Sequence, residues 1–281
     1  RTGTSVAALV FAACGLRSVP GKIRPRRFSL AADAHPTYPN PTIVEALVEV
    51  HVELPHGRDW APVLAGELFK ALQPDFPTME PVLESTFELQ LDTSGIRHTL
   101  HPPRQRMRYR HGSRPVLVQL AERIFTVNVL SPYPGWQEVK RIALESWSKA
   151  QAVLGAERIT RVGLRYINRI PSRDGRERPG DYLEATPYIP GAVLESESEF
   201  FSRVVASRTP AERWIVTLAA DAMDDRGKGI IFDIDRITQQ TTPPRPDALA
   251  SVIERLHQDV WEVFVAAKGP GLERLLLGGE P

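Results

Sequence analysis

Residues 159–170 (ITRVGLRYINRI) constrain the fold more than any other stretch, because they read as a β-strand with one charged face. β-Branched and aromatic residues favour a strand, and the side chains of a strand alternate between its two faces. One face is mostly apolar and carries Thr160, Val162, Leu164, Tyr166, Asn168 and Ile170, whereas the other carries Arg161, Gly163, Arg165, Ile167 and Arg169. Three arginines on a strand with an apolar face need solvent, acidic partners or an anionic ligand.

A second strand with a complementary charge pattern is predicted at residues 43–54 (IVEALVEVHVEL). One of its faces is rich in valine. The other carries three glutamates at the same four-residue interval as the arginines: Glu45, Glu49 and Glu53. Opposite charges on neighbouring strands attract one another across a sheet. We therefore predict that the two strands lie side by side and that Arg165 or Arg169 forms an ion pair with one of these glutamates.

The order of the remaining elements predicts an α+β fold. Helices are expected at 57–73, 136–154, 247–268 and 272–277, and strands or hairpins at 81–92, 104–120, 122–130, 192–206, 213–221 and 229–238. Groups of adjacent strands followed by a long helix are typical of antiparallel sheets that are each covered by an amphipathic helix. Because both halves of the chain end in this arrangement, we also predict a degenerate two-fold repeat.

The domain organisation follows from the same pattern. Residues 1–37 are expected to be a disordered or artefactual extension, and residues 38–172 form the first α+β half. Residues 173–190 are rich in proline, glycine and arginine and are interpreted as a connecting segment. Residues 191–281 form the second half, either separately or in one domain with the first.

The composition disfavours several classes of function. A formal net charge of +1 does not indicate a strongly basic nucleic-acid binder. A single cysteine, Cys14, excludes an internal disulfide and disfavours a thiolate zinc site. After the first 40 residues no stretch approaches the roughly 20 apolar residues of a transmembrane helix. We therefore expect a cytoplasmic protein that does not associate with a membrane.

Three segments together resemble a known family. They are residues 40–46 (NPTIVEA), 131–136 (SPYPGW) and 161–170 (RVGLRYINRI). In this combination and order they are similar to a sporadically distributed, uncharacterised family of bacterial proteins of about this size. The resemblance runs from about residue 38 to the end of the chain. It implies a bacterial, cytoplasmic protein encoded in accessory or defence-type gene neighbourhoods, and it implies no activity, cofactor or catalytic residue.

The arginine face has two interpretations. In the first, the arginines form a structural ion-pair network with Glu45, Glu49 and Glu53, because partly buried charges are normally paired. In the second, the arginines bind an anionic ligand, since a guanidinium group donates forked hydrogen bonds to phosphate or carboxylate. The candidate ligand-binding residues are Arg161, Arg165 and Arg169, and Arg108 on another predicted strand extends the patch.

Aspartates in the second half form the best candidate metal site. Asp233 and Asp235 share one face of a predicted strand, and a hairpin brings Asp221 towards them. Carboxylate oxygens on adjacent strands suit magnesium. Turns are also rich in aspartate for conformational reasons, so the same residues have a purely structural interpretation.

Recognition, rather than catalysis, is the function that the sequence predicts. The sequence contains no phosphate-binding loop, nucleophile elbow, dinucleotide fingerprint or histidine–glutamate metal motif. We therefore expect a non-enzymatic protein that binds a protein partner or an anionic small molecule and needs no cofactor. Two alternatives stay open: a divalent-cation-dependent enzyme that uses Asp221, Asp233 and Asp235, and a nucleic-acid binder that uses the arginines from Arg104 to Arg114.

Overall fold

The structure is a computed structural model of the 281-residue chain. It describes residues 10–12, 35–57, 62–84, 87–92, 95–100, 104–172, 177–224 and 227–279. The chain divides into two compact units, of which the smaller comprises Arg1–Thr37 with Pro81–Arg106 and the larger comprises Tyr38–Glu80 with Met107–Pro281. Both predicted halves contribute to the larger unit.

The described residues form twelve strands and five α-helices, so the fold is α+β. From the N-terminus to the end of the first long helix these are β1 (Val10–Ala12), β2 (Ile43–Glu53), α1 (Val63–Leu72), β3 (Thr78–Glu84), β4 (Phe87–Asp92), β5 (Gly95–Leu100), β6 (Arg104–Arg110), β7 (Val116–Ala121), β8 (Ile124–Leu130) and α2 (Trp136–Leu154). After this helix they are β9 (Arg158–Pro171), α3 (Gly191–Leu194), β10 (Phe201–Thr209), β11 (Glu212–Asp224), β12 (Gly227–Thr238), α4 (Pro246–Ala267) and α5 (Pro270–Leu276).

A three-strand sheet belongs to the smaller unit. Its strand order is β1-β4-β5, in which β1 runs parallel to β4 and β4 runs antiparallel to β5. Residues 10–12 therefore belong to a strand, although they fall within the segment predicted to be a disordered or artefactual extension. The rest of that prediction, at 1–9 and 13–34, lies outside the described residues.

A nine-strand sheet holds the functional residues considered below. Its order is β10-β11-β12-β9-β2-β8-β7-β6-β3. The predicted neighbourhood of residues 43–54 and 159–170 is confirmed, because β2 and β9 pair in antiparallel orientation at the centre of this sheet. The halves thus contribute strands to one shared sheet, and the prediction of separate sheets is wrong on this point.

The central strand β9 has the two faces that its sequence predicts, with one local exception. Val162, Leu164 and Ile170 are fully buried. At the start of the strand, however, Ile159 is buried and Thr160 is not. The register between β2 and β9 shifts at this point, which is the mark of a β-bulge, and a bulge moves one residue out of the alternation.

The apolar face of the sheet packs against helices. The first long helix, α2, contacts β8, while α4 contacts both β9 and β12. Two ring contacts connect these layers: Trp147 lies 5.6 Å from Phe125, and Phe264 lies 6.3 Å from Phe232, measured between ring centroids. The core of the larger unit therefore lies between the helices and one face of the sheet, which leaves the other face for polar residues.

Helix α2 has the bounds that the sequence predicts. It ends at Gly155, whose φ of 59° lies in the left-handed region that glycine adopts without strain. Other boundaries differ from prediction. Residues 191–194 form a short helix after Pro190 rather than the start of a strand, and the first helix begins at Val63 rather than at residue 57.

Candidate functional site

The candidate site lies on the face of the nine-strand sheet opposite the apolar core, which we call the polar face. Strand register brings alternate residues of seven strands to it, because directly paired residues point to the same side of a sheet. Its polar members are Arg203 on β10, Thr217 and Asp221 on β11, Asp233 and Asp235 on β12, Arg161, Arg165 and Arg169 on β9, Glu45, Glu49 and His51 on β2, Asn128 on β8, and Gln119 on β7.

Arg165 forms a forked pair with Asp233. Its Nε and Nη2 each donate a hydrogen bond of 2.8 Å to one carboxylate oxygen. The side chain of Asp233 is only 6% exposed, whereas that of Arg165 is 31% exposed. Burial lowers the pKa of Arg165, but the hydrogen bonds and the charge of Asp233 outweigh this effect and raise the pKa overall.

Arg161 belongs to a second cluster, with two residues of β2. Its Nη1 donates to Glu49 Oε1 at 2.5 Å and also contacts His51 Nε2. The same His51 nitrogen lies 2.8 Å from Glu49 Oε1. Depending on its tautomer, His51 Nε2 either accepts from Arg161 or donates to Glu49.

Arg169 pairs with Asp221 over a glycine. Its Nε donates to Asp221 Oδ2 at 2.5 Å, and its side chain is 8% exposed. Gly229 lies beneath this arginine, since a Cβ at that position would lie 3.2 Å from Arg169 Cζ and 3.0 Å from the carbonyl oxygen of Ile170. The absence of a side chain at Gly229 lets the guanidinium lie close to the sheet. An open cavity of about 450 Å³ borders Arg169 at this end of β9.

The glutamates of β2 have partners other than Arg165 and Arg169. Glu45 accepts a hydrogen bond of 2.6 Å from Asn128 Nδ2, and Glu53 accepts two from Arg158. The observed hydrogen bonds of Arg165 and Arg169 to aspartates thus differ from the predicted glutamate pairing. The physical reason is the strand order: β9 lies between β2 and β12, so its arginines can reach acidic residues on either side.

The three aspartates proposed as metal ligands do not form a metal-binding group within the described residues. Asp221 binds Arg169, and Asp233 binds Arg165. Within the described ranges, no group of three or more histidine, cysteine, aspartate or glutamate residues is arranged to hold a metal ion. This geometry contradicts the predicted grouping of Asp221, Asp233 and Asp235, because adjacent strands place arginines beside two of the three carboxylates.

The arginines of β6 and the following turn are paired with glutamates. Arg108 and Arg110 both contact Glu80, at 3.5 and 2.7 Å. Arg114 contacts Glu138 at 2.8 Å. These pairs engage three of the arginines on which the nucleic-acid alternative depends, and they make Arg108 an ion-pair member rather than an extension of the β9 patch.

Asp235 is the acidic residue of the polar face that lacks a bonded partner. It lies directly across from Arg165 in the sheet, yet it accepts no hydrogen bond and forms no ion pair with any residue that the structure describes. Burial raises the pKa of Asp235 to about 7, with the charge of Arg165 lowering it and that of Asp233 raising it. Asp235 therefore changes charge near neutral pH.

Arg203 is the cationic counterpart of Asp235 on the polar face. The sequence-based prediction of site residues did not include it. Its Nη1 donates to Thr217 Oγ1 at 3.3 Å, while its buried Nε has no hydrogen-bond partner among the described residues. Burial lowers the pKa of Arg203, Asp233 raises it, and the nearby charge of Arg165 lowers it further. The sequence did contain a signal for this residue. On the strand predicted at 192–206, Arg203 lies on one face between the apolar residues Phe201 and Val205.

A separate ion-pair network lies on the helix side of the sheet. Arg236 is only 2% exposed and binds Asp259 at 2.7 Å and Glu212 as well. Its guanidinium also lies 3.6 Å from the ring centroid of Trp214, which is a cation–π contact. This network connects β11 and β12 to α4, so its role is structural.

Comparison of the chain with known protein families and with curated proteins gives no match. None of the helices in the described ranges combines the length and the apolar character that a membrane crossing requires.

Proposed function

We propose that this chain is a recognition protein rather than an enzyme, and that its polar face binds a small oxyanion through Arg203 and Arg165. One observation carries the proposal: Arg203 is a partly buried cation that forms no ion pair within the part of the chain that the structure describes. A partly buried charge is normally compensated. Arg108 and Arg114, by contrast, each have a glutamate partner.

Both arginines interact electrostatically with the carboxylate of Asp233. Arg165 is bonded to Asp233, and Asp233 also acts on Arg203 electrostatically. Burial is the main cause of the lowered pKa of Arg203, and repulsion by the positive charge of Arg165 lowers it further. An oxyanion near both groups would reduce this repulsion and accept the hydrogen bonds that Arg203 does not make within the protein.

The surroundings of Arg203 also suit a ligand. Phe201 and Val205 lie on the same face of β10 as Arg203, and their exposed fractions are 60% and 41%. A cation between two exposed apolar side chains matches a ligand that has an anionic group and an apolar part. An oxyanion carried on a protein partner has the same chemistry, which keeps the predicted protein partner within this proposal.

Two further elements belong to the same proposal. The protein acts in the bacterial cytoplasm. Its two halves repeat one unit, in which a central strand is followed by three meander strands and a long covering helix. The strand order supports the repeat, because β9-β12-β11-β10 and β2-β8-β7-β6 read alike from the centre outward, with α4 and α2 following in the chain.

Thermal melting with inorganic phosphate tests the anion site. Binding to the folded state raises the melting temperature by an amount that grows with the logarithm of the ligand concentration above Kd. We expect a concentration-dependent rise for the wild type, none for Arg203→Met, and an unchanged rise for Arg208→Met, which removes an exposed arginine from the same strand. A rise that is equal in all three proteins would overturn the proposed site, and so would the absence of a rise in the wild type.

A further inference from the structure

The strand β10 forms one edge of the nine-strand sheet. It pairs with β11 on one side, and none of the described residues pairs with its other side. The amide of Ala220 donates to the carbonyl oxygen of Phe200, which makes this directly opposed pair a hydrogen-bonded one. Hydrogen-bonded and non-hydrogen-bonded pairs alternate along an antiparallel ladder. The backbone N–H and C=O groups of Phe201, Arg203 and Val205 therefore point away from β11, towards the open edge.

This edge is suited to pairing with another strand. Proteins commonly protect an edge strand with proline, a bulge or charged side chains, because its unpaired backbone groups can pair with another chain. The opposite edge strand, β3, contains Pro81. Strand β10 has no proline, and its register with β11 is regular from Phe201 to Ser207. An extended segment of another chain can therefore continue the sheet along this stretch of β10.

The side chains of β10 determine what kind of strand fits. The strand carries Arg203 and Arg208 and no acidic residue. Directly paired residues place their side chains on the same face, with Cβ atoms about 5 Å apart. An acidic residue opposite Arg203 would supply the carboxylate that this arginine lacks among the described residues. Apolar residues two positions to either side would cover the exposed Phe201 and Val205.

A second copy of this strand is a poor occupant of the edge. Pairing β10 with itself brings two copies of Arg203 and two of Arg208 together and supplies no carboxylate. Like charges on paired strands are destabilising. The charge of β10 therefore favours an acidic strand from a different protein.

We propose that β10 recruits an extended segment of a partner protein as an added antiparallel strand, with an acidic residue of that segment opposite Arg203 and apolar residues opposite Phe201 and Val205. This inference rests on the proposed anion site and identifies its oxyanion as a side-chain carboxylate. Backbone hydrogen bonds along the edge supply affinity, and the alternate side chains supply specificity. The recognised pattern is apolar–x–acidic–x–apolar, where the x residues point to the other face of the sheet.

Titration calorimetry of the full chain with the peptide acetyl-Thr-Val-Thr-Glu-Thr-Val-Thr-amide tests the proposal. We expect the wild type to bind it and inorganic phosphate to compete with it. Arg203→Met should weaken binding about tenfold or more, as loss of one charge-assisted hydrogen bond would give. A peptide with lysine in place of glutamate should show the same loss. Arg208→Met is the matched control and should bind normally, because a seven-residue strand centred on Arg203 ends before residue 208.

Two methylated peptides distinguish strand addition from simple attraction between charges. In the proposed complex the amide of the central glutamate donates to the carbonyl oxygen of Arg203, whereas the amides of the two neighbouring threonines point away from β10. Methylation of the glutamate nitrogen should abolish binding, and methylation of a neighbouring threonine nitrogen should preserve it. Equal affinity of the two methylated peptides would overturn strand addition.

Val205→Pro blocks the edge on the protein and leaves Arg203 in place. The N–H of Val205 points outward, so proline at this position removes no hydrogen bond of the sheet, and edge strands tolerate proline. We expect this variant to lose the peptide and to keep the phosphate-induced rise in melting temperature, which also shows that it is folded. Val205→Thr keeps the backbone donor and should bind the peptide.

The outcomes separate the two proposals. A wild type that responds to phosphate but does not bind the peptide would overturn strand addition and leave the anion site intact. Sedimentation that shows dimers of the wild type and monomers of Val205→Pro would also overturn the partner strand, because a second copy then occupies the edge. A wild type that does not respond to phosphate would overturn the anion site and, with it, this inference.

Discussion

Asp235 lies directly across the sheet from Arg165, yet Arg165 donates its forked hydrogen bonds to Asp233, two residues along the same strand. The diagonal pairing gives the two aspartates different properties. Asp233 is compensated and almost fully buried, whereas Asp235 has no bonded partner in the described ranges and has a raised pKa. One arginine therefore determines which of the two aspartates is paired and which keeps its capacity to accept hydrogen bonds.

The pairing of Arg165 with Asp233 should contribute strongly to stability. Arg165→Met leaves a buried carboxylate without its partner, so we expect the free energy of unfolding to fall by about 3–5 kcal/mol. The double variant Arg165→Met with Asp233→Leu should recover much of that loss. Chemical denaturation of the two single variants and the double variant measures the coupling.

A surface pair provides the control for this cycle. Arg141 and Glu138 are a half-exposed pair on α2, and Arg141→Met should cost less than about 1 kcal/mol. If the Arg165 and Asp233 substitutions have additive effects, the two residues are not energetically coupled and the structural interpretation of this pair is wrong.

Asp235 should make the protein less stable as pH rises. Its folded pKa of about 7 lies above its ordinary value of 3.8, so the folded protein binds a proton that the unfolded chain releases. The free energy of unfolding then decreases between about pH 4 and pH 7. Asp235→Asn removes this dependence and should be more stable than the wild type at pH 8.

Denaturation of both proteins at pH 5 and pH 8 measures this effect. We expect the advantage of Asp235→Asn to be present at pH 8 and small at pH 5. An Asn variant that is less stable than the wild type at pH 8 would show that the ionised Asp235 is compensated after all.

The buried ion-pair network around Arg236 should make the protein less stable as pH falls, which is opposite to the effect of Asp235. Although burial raises the pKa of Glu212, hydrogen bonds from Thr238 and Arg236 lower it below its ordinary value of 4.5. The stability from this group is present above about pH 4.5 and is lost as pH falls through the folded pKa. Glu212→Gln should therefore lose less stability than the wild type on acidification, measured by melting from pH 6 to pH 3.

The faces of the strands were predictable from sequence because the period of two is a local property. The alternation in residues 159–170 identified the buried face correctly except at Thr160. A bulge depends on how two strands pair, so a single strand does not reveal it. The bounds of α2 were equally predictable, because an amphipathic pattern and a terminal glycine are both local signals.

The partners of the β9 arginines could not be predicted from the sequence, because they depend on which strands lie on either side of β9. A strand inside a sheet has two neighbours, and the charge interval on β2 fits β9 whether or not other acidic residues lie on the far side. The order β12-β9-β2 decides that Arg165 binds Asp233. The isolation of Arg203 has the same origin, because it depends on the position of β10 at the end of the sheet.

Arg236 shows a signal that sequence reasoning could have used. The period of two in β12 places Arg236 on the same face as Phe232 and Ile234, which are apolar. An arginine on an apolar face requires buried acidic partners. Those partners, Glu212 and Asp259, are distant enough in sequence that only the fold identifies them.

Gly229 should be necessary for the pairing of Arg169 with Asp221. A Cβ at this position would lie 3.0 Å from the carbonyl oxygen of Ile170 and 3.2 Å from Arg169 Cζ, so both would have to move. We expect Gly229→Ala to reduce the free energy of unfolding by about 1–3 kcal/mol, the usual cost of overpacking.

Gly66→Ala provides the matched control, since no atom lies within 4 Å of its added Cβ and alanine favours a helix. Chemical denaturation should show the first variant destabilised and the second stabilised by up to about 1 kcal/mol. If both variants are equally stable, Arg169 can move away from residue 229 without a cost in free energy. Its ion pair with Asp221 then does not stabilise this end of the sheet.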